Sequence, residues 1–77
     1  MIYVTNTKLL KAKMVLNGDT IQTLADCLGI NRQNASIKIN GKREFRQLEI
    51  ATIVKRYKLT YEEIDSIFFS GMMMEAV

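Results

Sequence analysis

Apolar residues recur along most of the chain at intervals of three and four positions, which is the period of helices that pack on a common core. Two short blocks of this kind adjoin in the middle of the sequence, on either side of Gly29. Leu24 and Leu28 lie one helical turn apart in the first block, as do Ala35 and Ile39 in the second. The pattern predicts two short helices separated by a tight turn.

The residues at the ends of these blocks have the backbone preferences of helix ends. Thr20 and Asn31 are favoured N-cap residues, because a short polar side chain accepts a hydrogen bond from an amide of the first turn. Gly29 suits the left-handed conformation in which helices commonly stop, and Asn40-Gly41 is expected to end the second block. We therefore expect the second of the two helices to span residues 31–40.

Three further helices are predicted outside this pair. The first runs from about Asn6 to Leu16 and turns Leu10 and Met14 inward. Another has its apolar stripe at positions i, i+3, i+4 and i+7, namely Ile50, Ile53, Val54 and Tyr57. Its last turn is basic and complements the negative end of the helix dipole through Lys55, Arg56 and Lys58.

A capping box opens the last predicted helix at Thr60. Leu59 can pack against Ile64 across this start, and Ile67 and Phe68 continue the apolar stripe. No segment is predicted with any strength to be a strand. The sequence therefore predicts an all-α fold, a compact five-helix domain.

A chain of 77 residues suits one domain, and its 48% hydrophobic content is enough for a core. The domain is expected to occupy residues 1–77, with residues 1–5 as an arm and 70–77 as a tail. Two features of the sequence, the residues of the central helix pair and the charge beside it, indicate a function for this domain.

The first feature is the sequence of Thr20–Arg43, TIQTLADCLGINRQNASIKINGKR. It resembles the helix-turn-helix of the phage repressor/Cro family of transcriptional regulators in its Leu-Ala pair, Gly-Ile turn, Arg-Gln helix start and closing Asn-Gly-Lys-Arg. The run from Ser36 to Phe45 is similar to the S-x-K-x-N-G-K-R-E-F of a subgroup of small phage proteins. The chain departs from the family at Ile21, where many members have a phosphate-binding glutamine, and at Lys38, a position more often apolar.

The second feature is the charge. Lys and Arg outnumber Asp and Glu by 11 to 8, which gives a net charge of +3. Four of the basic residues fall beside the second helix of the pair: Lys38, Lys42, Arg43 and Arg46. A basic cluster next to an outward helix face favours a polyanionic partner.

The outward residues of the 31–40 helix have side chains that suit the base edges of the DNA major groove. Arginine pairs with guanine and glutamine with adenine, serine can donate or accept a hydrogen bond, and an apolar side chain covers the thymine methyl. The predicted base-contacting residues are Arg32, Gln33, Ser36 and Ile37, and the resemblance implies the same positions. The predicted phosphate-contacting residues are Thr20, Gln22, Lys38, Asn40, Lys42 and Arg43.

The sequence therefore predicts a sequence-specific double-stranded DNA-binding regulator of transcription, repressor/Cro-like, that inserts helix 31–40 in the major groove. A homodimer on a DNA operator is expected, because one helix reads only a few base pairs. Its contact is expected from apolar residues near the chain ends: Ile2, Tyr3, Val4, Phe68, Phe69 and Met72 to Met74. The alternative is a protein-interaction module, such as an antirepressor that binds a related regulator. In such a module the outward face of the second helix of the pair should be apolar or acidic.

Other functions find little support in the sequence. The chain has no histidine and one cysteine, so zinc sites of the usual kind are excluded, and Cys27 is expected to be a packing or half-exposed residue. No enzyme, cofactor or small-molecule ligand is predicted, and the acidic residues Asp26, Glu62, Glu63 and Asp65 are interpreted as solvated. With no signal peptide or long apolar run, the expected location is the cytoplasm of a bacterial or phage-infected cell, away from the membrane.

Overall fold

A computed structural model describes residues 5–69 of the chain. Within this range five helices follow one another: α1 (Thr7–Leu16), α2 (Ile21–Leu28), α3 (Arg32–Ile39), α4 (Gln47–Tyr57) and α5 (Tyr61–Ile64). The last continues directly into a π-helical turn, Asp65–Phe69. The predicted all-α, compact five-helix fold is confirmed. No helix in the described range combines the length and apolar content needed to cross a bilayer.

Short polar side chains begin four of the five helices, as local capping requires. The Asn31 side chain accepts a hydrogen bond from the Asn34 amide at 2.7 Å, and the Thr60 hydroxyl accepts one from the Glu63 amide at 3.2 Å. Asn6 and Thr20 cap α1 and α2 in the same way. The predicted starts of these helices are therefore confirmed.

The core takes one fully buried large side chain from each of α1 to α4 and one from the π-helical turn. These side chains are Leu10, Leu24, Ile39, Ile53 and Ile67. Burying a leucine or isoleucine of this size contributes about 1.5 to 3 kcal/mol. Shared burial among elements distant in sequence fixes the position of α2 and α3 on the rest of the domain.

The end of the last helix differs from its prediction. Instead of a continuous α-helix, a π-helical turn follows Ile64 and turns two successive side chains, Ile67 and Phe68, into the core. The Ile67 carbonyl accepts a hydrogen bond from the Asn6 amide at 2.6 Å, which ties this turn to the start of α1. The Phe68 ring meets Phe45 edge to face, with centroids 5.9 Å apart.

Phe68 is therefore a core residue, and its predicted role in a dimer contact is wrong. Phe69 packs half-buried against the same core. The other residues predicted for that contact, in the arm and the tail, lie outside the described residues.

Candidate functional site

The α2–α3 pair is joined by a three-residue turn whose conformation follows from its sequence. Gly29 ends α2 with φ 72°, a left-handed conformation that strains residues with a side chain. The Ile30 amide donates to the Ala25 carbonyl at 3.1 Å, and the Ile30 side chain packs against the core. The turn thus ends α2 and leads into α3, with Asn31 as the cap of α3.

The four residues predicted to contact bases come together on one face of α3. They occupy positions i, i+1, i+4 and i+5 of the helix and line a single shallow depression: Arg32, Gln33, Ser36 and Ile37. Arg32 and Gln33 are exposed, whereas Ser36 and Ile37 are half-buried. No aspartate or glutamate occurs in the sequence between residues 27 and 43. This face therefore combines hydrogen-bonding and apolar groups with positive charge.

Lys38 is buried rather than exposed, so its predicted phosphate contact is wrong. Its side chain is 7% exposed, and its amine donates to both carboxylate oxygens of Glu49, at 2.7 and 2.9 Å. The physical reason is that Lys38 lies three residues after Ala35, on the inner side of α3. There the buried carboxylate of Glu49 from α4 forms an ion pair with its amine. Because the amine is engaged inside the domain, it is not available to a phosphate.

The loop after α3 is held close to the helix that it leaves. The Lys42 amide donates to the Ile37 carbonyl and the Gly41 amide to the Lys38 carbonyl, both at 3.0 Å, which closes α3 with a Schellman-type end. Gly41 has φ 78°, so the predicted stop at Asn40-Gly41 is confirmed. The side chains of Lys42 and Arg43 are exposed beyond it.

The remaining predicted phosphate contacts are exposed, and each has an intramolecular partner. Thr20 caps α2 through its hydroxyl, and Gln22 donates to Asp26 at 2.9 Å. The Asn40 amide group donates to the Ser36 carbonyl at 2.8 Å. Each of these side chains would therefore have to keep or exchange an intramolecular hydrogen bond on contacting a phosphate, and Gln22 is adjacent to a negative charge.

The sequence interpretation missed Lys11 as part of this surface. Lys11 is exposed on α1, and its amine donates to the Asn40 side chain at 2.8 Å. It thus adds positive charge at the end of α3, where the loop that carries Lys42 and Arg43 begins. Lys11 and Asn40 are 29 positions apart in the sequence. No local pattern links them, so only the tertiary fold reveals this contact.

The start of α2 is held by an ion-pair network. The Arg56 guanidinium donates to both oxygens of the Asp19 carboxylate, at 2.7 and 2.6 Å, and the Tyr57 hydroxyl donates at 2.6 Å. The Asp19 side chain is only 3% exposed. Hydrogen bonds from Arg56, and then from Tyr57 and Thr23, hold the pKa of Asp19 well below its usual value despite burial. Arg56 therefore serves a specific tertiary ion pair, beyond the predicted complement to the helix dipole.

The other groups singled out in the sequence are structural or solvated. Glu63, predicted to be solvated, instead pairs with Lys13 and accepts a hydrogen bond from the Thr60 amide, and these contacts lower its pKa. Cys27, expected to be a packing or half-exposed residue, is instead exposed, with its sulfur 3.6 Å from a nitrogen of Arg56. Among residues 5–69 no group of three His, Cys, Asp or Glu side chains is placed to hold a metal ion.

Comparison of the chain with profiles of known families, with curated proteins and with solved structures gave no match. The resemblance to the phage repressor/Cro family therefore rests on the residues of Thr20–Phe45. Since folds of this size host many functions, the function has to be argued from the exposed face of α3 and its surroundings.

Proposed function

We propose that this protein is a sequence-specific double-stranded DNA-binding regulator of transcription, repressor/Cro-like, in which α2 and α3 act as a helix-turn-helix. The observation that carries the proposal is the acid-free outer face of α3, where Arg32, Gln33, Ser36 and Ile37 lie together, followed in the chain by exposed Lys42 and Arg43. The major groove of B-DNA is about 12 Å wide and admits one helix. In this proposal α3 is that helix.

Each side chain on this face has a distinct role in reading bases. Arg32 donates two hydrogen bonds to a guanine, and Gln33 pairs with both the acceptor and the donor of an adenine. Ser36 donates or accepts, and Ile37 covers a thymine methyl. Arg32 and Gln33 stand in the first turn of α3, the end that approaches base edges in helix-turn-helix complexes.

The surrounding basic and polar groups fix the register on the duplex through phosphates. Such contacts position the protein without choosing sequence. Lys42 and Arg43 supply charge on one side of α3, and the α2 start supplies Thr20 and Gln22. Lys11 joins this set because it lies within hydrogen-bonding distance of Asn40.

The protein acts in this proposal as a homodimer in the cytoplasm of a bacterial or phage-infected cell. Two copies read two half-sites about one helical turn apart, which supplies the specificity that a single helix lacks. Bound to its operator, the dimer blocks or redirects RNA polymerase.

A protein partner for α3 is less well supported than DNA. An antirepressor surface should be apolar or acidic at the outer helix face. Here the two most exposed side chains of that face are Arg32 and Gln33, and Ile37 is half-buried. The balance of exposed groups favours a polyanion with hydrogen-bonding edges.

Selection of bound sequences from random duplex DNA by the purified full chain tests the proposal. We expect enrichment of one motif, arranged as two related half-sites, and a relaxed preference at one base pair of each half-site in the Arg32→Ala variant. Lys55→Ala is the charge-matched control, since Lys55 lies on α4 beside Cys27 and Thr52. Recovery of random sequence with the wild-type chain would refute the proposed function.

A further inference from the structure

A buried ion pair connects α3 to the start of α4. The side chains of Lys38 and Glu49 are 7% and 8% exposed, and the lysine amine contacts both carboxylate oxygens. One of those oxygens also accepts a hydrogen bond from the Arg46 amide at 2.7 Å, which caps α4. A single carboxylate therefore holds the last turn of α3 and the first turn of α4 together.

Stability alone is a weak reason for such a pair. Removing two charges from water is expensive, and buried pairs replaced by apolar residues of similar volume often leave stability unchanged or improve it. Lys38 follows Ala35 by three residues and precedes Ile39, so an apolar side chain at this place would join the existing core. The pair instead fixes the orientation of α3 relative to α4, because its two hydrogen bonds are short and charge-assisted and therefore geometrically specific.

The pair brackets the basic loop that carries Lys42 and Arg43. At one end of the loop the Lys42 amide bonds the Ile37 carbonyl, next to Lys38. At the other end the Arg46 amide bonds Glu49. The Arg46 anchor thus belongs to the ion pair itself, whereas the Lys42 anchor is a backbone bond one residue from Lys38, whose side chain forms the pair.

We propose that Lys38 and Glu49 are positioning residues of the DNA-binding surface. The pair fixes the loop of residues 40–46 relative to α3, so that base-reading and phosphate-contacting side chains meet one duplex at the same time. Neither residue touches DNA. This inference rests on the proposed function, and it assigns a role in recognition to two buried groups.

Two double variants separate positioning from stability. K38M/E49L replaces the ion pair with apolar side chains of similar size and removes the cap on the Arg46 amide. K38M/E49Q removes the charges but retains a side-chain oxygen for that amide. K38R retains a charged group that can donate to both oxygens of Glu49. For each full-length variant, chemical denaturation, hydrogen exchange of the Arg46 and Lys42 amides, and affinity for the selected duplex are measured.

We expect K38M/E49L to remain folded, with faster exchange at Arg46 and about tenfold weaker binding to the selected duplex, as when one good base contact is misplaced. K38M/E49Q should keep the Arg46 amide protected and still lose affinity, and K38R should bind as the wild type does. Wild-type affinity in both double variants would overturn the proposal, as would unfolding of K38M/E49L, which would give the pair a purely structural role.

Failure of the proposed function is distinguishable from failure of this inference. A wild-type chain that binds no duplex refutes the proposed function and the recognition role together. Exchange of the Arg46 amide, measured without DNA, decides independently whether the pair holds the loop. Unchanged exchange in K38M/E49L would overturn that part even if the wild type binds DNA.

Discussion

The basic residues of the domain fall into two groups by their partners. Lys13, Lys38 and Arg56 form ion pairs with acidic residues of other elements. Within residues 5–69, Arg32 and Lys42 form none, and both are exposed. Charge that is already neutralised inside the fold adds little to an external field, whereas unneutralised charge on an outer face attracts an anion. Single substitutions of Arg32 or Lys42 should therefore weaken the binding of an anionic ligand without changing the fold.

Arg32→Ala and Gln33→Ala are expected to affect DNA binding differently from Lys42→Ala. Each of the first two should cost about 1 to 3 kcal/mol on the selected site and relax specificity at one base pair. Lys42→Ala should weaken selected and random duplexes alike, because a phosphate contact carries no sequence information. Fluorescence anisotropy titrations with both duplexes measure this. Equal losses on both duplexes for all three variants would remove the distinction between base and phosphate contacts.

Asp19→Asn should reduce both stability and its dependence on acid. The folded-state pKa of Asp19 lies below its ordinary value of 3.8, so its contribution is present above about pH 4 and is lost as the pH falls toward the folded-state value. Replacing the carboxylate weakens hydrogen bonds to a charged group, worth about 1 to 3 kcal/mol. Urea denaturation between pH 2 and 7 measures the effect, with exposed Asp26→Asn as the control. A wild-type acid profile in Asp19→Asn would contradict the role of this network.

At the scale of elements, local sequence predicted the helices well because their ends are decided locally. Thr20, Asn31 and Thr60 cap the helices that they were expected to cap. The exposed face of α3 also followed from helical periodicity. The partner of Lys38 did not, since Glu49 lies in the next helix and no periodic pattern relates the two.

The π-helical turn was missed for a related reason. It is stabilised by the burial of two consecutive side chains and by a bond from Asn6, about sixty residues earlier in the sequence. Propensity along the segment itself favours an ordinary helix. The contact of Lys11 with Asn40 is likewise a product of tertiary packing, so this part of the candidate site was beyond prediction from local pattern.

Two glycines are expected to differ when replaced by alanine. At Gly29 the backbone is left-handed but a Cβ meets nothing within 4 Å, so Gly29→Ala should cost only the conformational penalty, about 1 to 2 kcal/mol. At Gly41 the same penalty applies, and a Cβ would also lie 3.2 Å from the Thr7 side chain. Gly41→Ala should therefore be the more destabilising variant. Thermal unfolding of the two proteins compares them, and the reverse order would contradict the described loop.

At the scale of the whole molecule, the net charge of +3 is modest and its distribution matters more. Exposed basic side chains lie on α3 at Arg32 and in the loop that follows it at Lys42 and Arg43, and Lys11 of α1 contacts Asn40 at the end of α3. The start of α5 is instead acidic, with Glu62 and Glu63 in its first turn. This charge distribution should orient the domain so that α3 faces an approaching polyanion.

Binding to duplex DNA should therefore weaken steeply with salt, as condensed counterions are released. Removing one exposed basic residue, as in Lys42→Ala or Lys11→Ala, should lower the slope of log affinity against log salt by about one unit. Lys55→Ala should leave the slope unchanged. Titrations between low and physiological salt measure these slopes, and a wild-type affinity that does not vary with salt would exclude phosphate contacts.

The most direct test of the central claim is the ratio of two affinities of the wild-type chain, for the selected duplex and for a scrambled duplex of the same composition. Both are measured at one physiological salt concentration, because the non-specific term depends on salt. A sequence-specific regulator should bind the selected duplex at least about 1,000-fold more tightly. Equal affinities for the two duplexes would contradict sequence-specific recognition by α3.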